Sequence, residues 1–345
     1  MITVTTTHDN GNTCLFDPHT QTNETKSGRA KFQRKKKMRK IARNVIFFFL
    51  ESSSCLRKMA AEAENFGMLA PGRRVTLLVA YALFILVNVV SQAGMFGLPT
   101  NGDISQDYPT PITPAPWTFS IWGVIFLHQG GGVVYAFLGP GGETGTATAL
   151  GRVSVWWMCA WAASSLWQGL FLIQTPAGMI VSAIALIGIA TFANVASAIA
   201  KTTSRHSRQQ VVFIALPSSM YAGWTTLASA VGVLVVGSSL HASHSVMLGL
   251  SFGALAVVMA VVLYQIFGNK DELFAVPIVW GLIGVASGTS DVSIRIFANV
   301  GAVLILFCGI VRKAIHLWEL KKAKEIVEGL GSAAEPFLPI TAPKP

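Results

Sequence analysis

Four stretches of this chain, 75–102, 108–142, 153–200 and 209–269, contain no Asp, Glu, Lys or Arg. About 20 apolar residues in a helix cross the hydrocarbon core of a bilayer, and a chain in lipid must satisfy its backbone polar groups internally. Stretches of this length and character are membrane helices, and the last two can each hold a pair. Pro176 with Gly178 divides the first pair, and GSSLHASH at 237–244 divides the second. Composition agrees, since only 12 % of the 345 residues are charged and 52 % are hydrophobic, against about 25 % charged in soluble domains. The expected fold is all-α: a polytopic membrane helix bundle with about eight transmembrane helices, at roughly 75–97, 117–138, 153–174, 177–200, 211–236, 245–267, 272–289 and 294–312.

The remaining charges test that count. With the amino terminus inside, inner segments carry Arg73, Arg74, Arg152, Lys201, Arg205, Arg208, Lys270, Arg312, Lys313, Lys321 and Lys322. The outer loops offer only Arg295, beside Asp103, Asp107 and Asp291. One span more or fewer would scramble this inner excess of Lys and Arg. The chain is therefore expected to be an integral, multi-pass protein with both termini on the cytoplasmic (or stromal/matrix) side, with no signal for which membrane.

Residues 1–74 hold +8 of the net charge of +10. The run RKKKMRK at 34–40 has no interleaved aromatics, so anionic lipid headgroups or a targeting receptor are expected as partners and nucleic acid is not. Residues 1–72 read as a disordered basic tail and candidate targeting segment; Ser and Arg suit a transit peptide, whereas Asp9, Asp17 and Glu24 do not. VIFFFL at 45–50 is too short for a secretory signal, and Asn23-Glu24-Thr25, a glycosylation pattern, falls on the inner side. Met59, followed by AAEAENFG, reads as an alternative start. At the other end, 313–329 continue as an amphipathic helix, and Pro336, Pro339, Pro343 and Pro345 mark a disordered finish. Cys14, Cys55, Cys159 and Cys308 lack metal-ligand spacing, so neither a metal site nor a disulfide framework is expected.

Between Tyr108 and Phe126 the chain reads YPTPITPAPWTFSIWGVIF. Pro109, Pro111, Pro114 and Pro116 cannot lie inside a helix, but Pro116 suits a first turn, so the second span should start near Trp117. Tryptophan there serves either an interfacial aromatic belt or a pocket. In the third span Trp156, Trp157, Trp161, Trp167 and Phe171 face more than one way at about 100° per residue. Trp156 should lie over Trp167, with Phe171 one turn below, while Trp157, Trp161 and Gln168 share another face. Trp156 and Trp157 sit near the span's end and are assigned to packing or the interface; Trp161 and Trp167 are too deep for a belt. In the fifth span Pro217 frees a carbonyl about one turn earlier and kinks the helix, with Tyr221 and Trp224 on the same flank. His128 is expected to bond to a neighbouring helix. Asn88, Gln92, Gln168, Asn194, Gln265 and Asn299 are polar but uncharged, and no buried carboxylate cluster is visible. Phosphate-loop, dinucleotide, HExxH and nucleophile-elbow motifs are missing, so an enzyme is not expected.

The proline-rich approach, Trp117-x-Phe119-x-x-Trp122 and Phe126 resemble the second-helix signature of the tryptophan-rich sensory protein/translocator protein family (TspO/MBR). Trp167 with Phe171 is similar to that family's third-helix pair. Pro217, Tyr221 and Trp224 resemble its fifth-helix Pro-Tyr-x-x-Trp region with looser spacing, although TTLASAVG stands where the family has Leu-Asn. The resemblance covers about 75–236, and spans six to eight have no counterpart in the five-helix members. It implies an aromatic pocket, under the loop joining the first two helices, for tetrapyrroles or sterols. Carried over, the ligand-binding residues would be Trp117, Phe119, Trp122, Trp167, Phe171, Tyr221 and Trp224, with Trp161 added on burial alone.

The expected division is thus 1–72 tail, 73–237 TspO-like five-helix bundle, 238–318 three further transmembrane helices, and 319–345 an amphipathic helix end and tail. The expected function is a non-enzymatic membrane binding or sensory protein, without cofactor, whose pocket takes a flat hydrophobic ligand such as a porphyrin or sterol and serves its transport or regulation. Membrane lipid and a second copy of the chain complete the expected partners. The alternatives are a secondary transporter of a small organic solute and a regulatory scaffold acting through the basic tail; sparse intramembrane charge and the lack of a readable repeat count against the transporter.

Overall fold

The structure, a computed structural model, describes residues 71–138, 145–203 and 208–334. The chain divides into two units, Met1–Lys58 and Met59–Pro345, and every described residue belongs to the second. The basic tail, Met59 and the terminal prolines lie outside the described residues.

Among the described residues there are helices and no strands. The order is α1 (Pro71–Gln92), a 3-10 turn (Met95–Gly97), α2 (Asn101–Asp107), a second 3-10 turn (Pro116–Ser120) running into α3 (Ile121–Leu138), α4 (Gly145–Phe171) and α5 (Pro176–Thr203). Arg208–Gln210 and a π turn (Val211–Ala215) then lead into α6 (Leu216–Ser239), followed by α7 (His244–Phe267), α8 (Ala275–Gly288) and α9 (Val292–Ala334). All eight expected spans fall on helices, and the protein is a multi-pass α-helical membrane protein. Six stretches are long and apolar enough to cross: Gly72–Gln92, Pro116–Leu138, Pro176–Thr202, Arg208–Ser239, His244–Phe267 and Val292–Ala323. The other two expected spans are α4 and α8. At 27 residues α4 has the length, but its tryptophans, serines and Arg152 dilute its hydropathy. At 14 residues α8 rises about 21 Å, short of a core about 30 Å thick. Residues 313–329 are an unbroken part of the 43-residue α9.

Local chemistry explains the boundaries. Pro116 takes the first helical position of its turn, where its missing N–H costs no bond. A capping box starts α2: the Asp103 N–H donates to Thr100 Oγ1 at 3.2 Å, and the Thr100 N–H donates to Asp103 Oδ2 at 2.8 Å. The Thr100 N–H first, and its hydroxyl second, hold the Asp103 carboxyl below its ordinary pKa. Pro217 has no N–H for the Phe213 carbonyl, and the helix widens into the π turn ahead of it. The released carbonyl lies against Gly132 of α3, where any Cβ would collide with it. A proline on one helix and a glycine on another thus form a single close approach.

Within the unit, α5 lies between α4 and α6, α1 packs on α4 and α3, and α8 seats against α6, α9 and the 3-10 turn that carries Trp117. Large side chains on the outside, among them Leu83, Leu127, Ile184, Val303 and Phe307, form the lipid-facing surface expected of a bundle in a bilayer.

Candidate functional site

The site begins where the proline run ends. The Ala115 N–H donates to the Gly284 carbonyl of α8 at 2.9 Å, and Trp280 Nε1 of α8 donates to the Thr118 carbonyl at 2.8 Å. Thr118 itself lies against Gly284, where no side chain would fit. The proline-tryptophan segment is therefore fastened to α8, a helix from the last third of the chain. Trp117 is 44 % exposed and meets Trp280 edge to face at 4.9 Å, and among the described residues its ring touches none of the other expected site rings.

One turn further in, Trp122 joins three rings: Phe126 stacked at 5.4 Å, with Tyr221 and Trp224 edge-on at 5.9 Å each. Phe119 adds an edge-to-face contact with Trp224 at 6.2 Å. The band continues from Phe126 to Phe84 of α1 at 4.9 Å and from Phe84 to Trp161 of α4, stacked at 5.7 Å. Tyr81 and Trp157 flank Trp161 at 5.2 and 5.8 Å. Such pairs contribute about 0.5–1.5 kcal/mol each beyond the area they bury. Tyr221, Trp224 and Trp161 are buried, whereas Phe119, Trp122 and Phe126 are half-buried and form the accessible edge.

Of the eight expected residues, five meet in this band: Phe119, Trp122, Trp161, Tyr221 and Trp224. Trp167 and Phe171 are buried and stack on each other at 5.1 Å, and among the described residues no ring contact joins them to the band. Gln168, beside them, ties α4 to α1 by donating to Asn88 Oδ1 at 2.9 Å. Trp156 turns to Phe192 of α5 at 6.2 Å. His128 Nδ1 donates within its own helix, to the Val124 carbonyl, 2.8 Å away, so the interhelical bond expected of it is replaced by a local one.

Sequence reasoning missed Tyr81 and Phe84 and left Trp157 to packing. Leu77, Tyr81, Phe84 and Asn88 recur at intervals of four, three and four, a helical stripe that was present in the sequence. Trp157 is wholly buried because Gly132 lets α3 approach it closely.

A few polar groups fix the rings. Trp161 Nε1 donates to Gln129 Oε1 at 3.1 Å, Trp157 Nε1 to Ser218 Oγ at 3.1 Å, and the Tyr81 hydroxyl to the Phe126 carbonyl at 2.6 Å. Trp224 Nε1, Trp167 Nε1 and Gln129 Nε2 are buried donors that find no acceptor in the protein, which is costly unless a ligand supplies one. Large flat faces with a few fixed or waiting donors suit stacking and orientation of a planar molecule.

A search among curated proteins and among solved structures found no match to this chain. A family model described as TSPO-like protein matches residues 74–311, well over half of the chain. The match runs past the 75–236 that carry the sequence resemblance and takes in α7, α8 and the apolar part of α9. With the proline-tryptophan approach, the ring band and this match in agreement, the chain belongs to the TSPO-like family.

Proposed function

We propose that this protein is a non-enzymatic membrane binding or sensory protein that takes a flat hydrophobic ligand, a tetrapyrrole or a sterol, at the Trp122 ring band, and takes part in that ligand's transport or regulation. The observation that carries this reading is the position of Trp122, a half-buried indole in contact with Phe126, Tyr221 and Trp224 at once. A planar ligand can lie on that edge and exchange ring-ring for ring-ligand contact, and the unpaired Trp224 and Gln129 donors can meet its acceptors. Phe119, Trp161 and Tyr221 would complete the wall; Trp167 with Phe171 would border it, and Trp117 would close it from outside.

Protoporphyrin titrated into the purified protein should quench tryptophan fluorescence saturably. Trp122→Ala should raise Kd about tenfold, a loss of about 1.4 kcal/mol, while Trp117→Ala should leave Kd within about twofold, since its ring pairs with Trp280 instead. Unchanged binding in the Trp122→Ala/Trp224→Ala double variant would sink the assignment. The transporter reading gains one observation, a buried ion pair between Lys201 and Asp271. Ion-gradient-dependent uptake into liposomes would favour it, but both carboxylate oxygens of Asp271 already have partners within the protein.

A further inference from the structure

Asp271 lies in the connection between α7 and α8, with its side chain only 3 % exposed. Its Oδ2 is 2.8 Å from Lys201 Nζ of α5 and accepts from Ser197 Oγ at 3.2 Å, while Oδ1 accepts the Phe274 N–H at 3.2 Å. Ser197 gives its one hydroxyl hydrogen to Asp271, so Ser219 of α6 is the donor in their 3.1 Å contact. Lys201 also donates to Gln265 Oε1 of α7 at 3.2 Å. Gln265 Nε2 donates to Asn194 Oδ1 at 3.3 Å, and Asn194 Nδ2 reaches Thr226 of α6 at 3.3 Å. Lys270, in the left-handed region at φ +57°, turns the chain back so that the Asp271 N–H donates to the Gln265 carbonyl at 2.9 Å.

A buried charge pair is costly to desolvate and persists only where further hydrogen bonds complete it. Here both carboxylate oxygens have donors and Lys201 has two acceptors within the protein. The pair's place in the fold points to anchoring. A turn of three residues, Glu272–Phe274, joins Asp271 to α8, which leads on to the ring band: the Phe274 carbonyl sits on Gly223, Gly281 lies beside Trp224, and Gly284 abuts Thr118. The same helix holds Thr118 and Ala115 through Trp280 and the Gly284 carbonyl.

We propose that the Lys201–Asp271 pair is an anchor that sets the position of α8 and, through it, of the proline-tryptophan segment beside Trp122, so that the charge at Asp271 regulates access to the ring band. The inference rests on the reading above for the existence of a ligand there. Its mechanical part stands by itself: α8 is a rod about 21 Å long, its first turn follows Phe274, whose N–H Asp271 holds, and movement at that end reaches Gly284 near the other.

Hydrogen exchange read by mass spectrometry on the full-length protein in lipid nanodiscs tests it without ligand. Asp271→Asn keeps an acceptor for the Phe274 N–H and removes the charge. It should speed exchange across 109–120, which contains the Ala115 and Thr118 amides, by about tenfold, and leave 156–168 of α4 unchanged. Unaltered exchange at 109–120, or equal acceleration in α4, overturns the proposal. Gly284→Ala probes the opposite end, because coupling is reciprocal: a methyl against Thr118 should speed exchange across 268–275, and no change there overturns the proposal even where Asp271→Asn folds poorly. A protein that fails to bind porphyrin yet shows this coupling loses the ligand reading alone; one that binds porphyrin without the coupling loses the anchor alone.

Discussion

Around Trp122 four helices meet through rings, whereas around Asp271 α5, α6, α7 and a loop meet through hydrogen bonds and one ion pair. The ring band is held by many modest, weakly directional contacts, and some of its buried donors have no protein partner. The polar network is directional, with each carboxylate oxygen of Asp271 engaged. The difference assigns tasks. A ring face that loses one neighbour keeps its others and can accept a flat guest in exchange, while a carboxylate that loses its lysine strands a charge. Recognition suits the first region and fixed geometry the second, and α8 touches both.

The largest effect should come from breaking the network on one side only. Asp271→Ala leaves Lys201 unpaired and should cost about 3–5 kcal/mol, read as a fall in Tm in detergent. The double variant Lys201→Met/Asp271→Leu removes both charges and should recover most of that loss. Equal Tm values for the single and double variants would show that the pair does not behave as a closed unit. In the ring band the corresponding change is Trp161→Phe, which keeps a ring against Phe84 and gives up the bond to Gln129. It should cost about 2 kcal/mol. A loss matching that of Asp271→Ala would erase the contrast between the two regions.

The two regions also differ in how far the sequence foretold them. Charge-free stretches and the Pro176 and Gly178 break located the helices, because water solubility and membrane solubility leave opposite compositional marks. The family resemblance grouped Trp122, Tyr221 and Trp224, and prolines at 116 and 217 mark where their helices start or bend. The Leu77–Asn88 stripe was legible too, but nothing beside it marked the face as special. Lys201 and Asp271 were hidden by their positions at the ends of apolar runs, where a charge reads as a loop residue. What buries Asp271 is the start of α8 at Ala275, two residues into an apolar run that offers no sign of it. Trp167 differs: the family's order of landmarks aligned it with the pocket, and in the structure its ring stacks on Phe171, one turn away.

The smallest expected effect allows the cleanest contrast, because the same substitution can be made in each region. Ser197 Oγ donates to the Asp271 carboxylate at 3.2 Å, and Ser218 Oγ accepts from Trp157 Nε1 at 3.1 Å. Both serines are fully buried, so exposure does not separate them. A hydrogen bond to a charged group contributes about 1.5–3 kcal/mol and a neutral one about 0.5–1.5 kcal/mol. Ser197→Ala should therefore lower stability about twice as much as Ser218→Ala, measured for both by chemical denaturation under one set of conditions. Ser197→Ala should also cost far less in the Lys201→Met/Asp271→Leu background, where no carboxylate remains to lose its donor, while Ser218→Ala should cost the same in either background because its partner is a ring. If Ser197→Ala were as costly without the ion pair as with it, the serine would be filling space rather than completing the network, and the distinction between the two interiors would come down to packing.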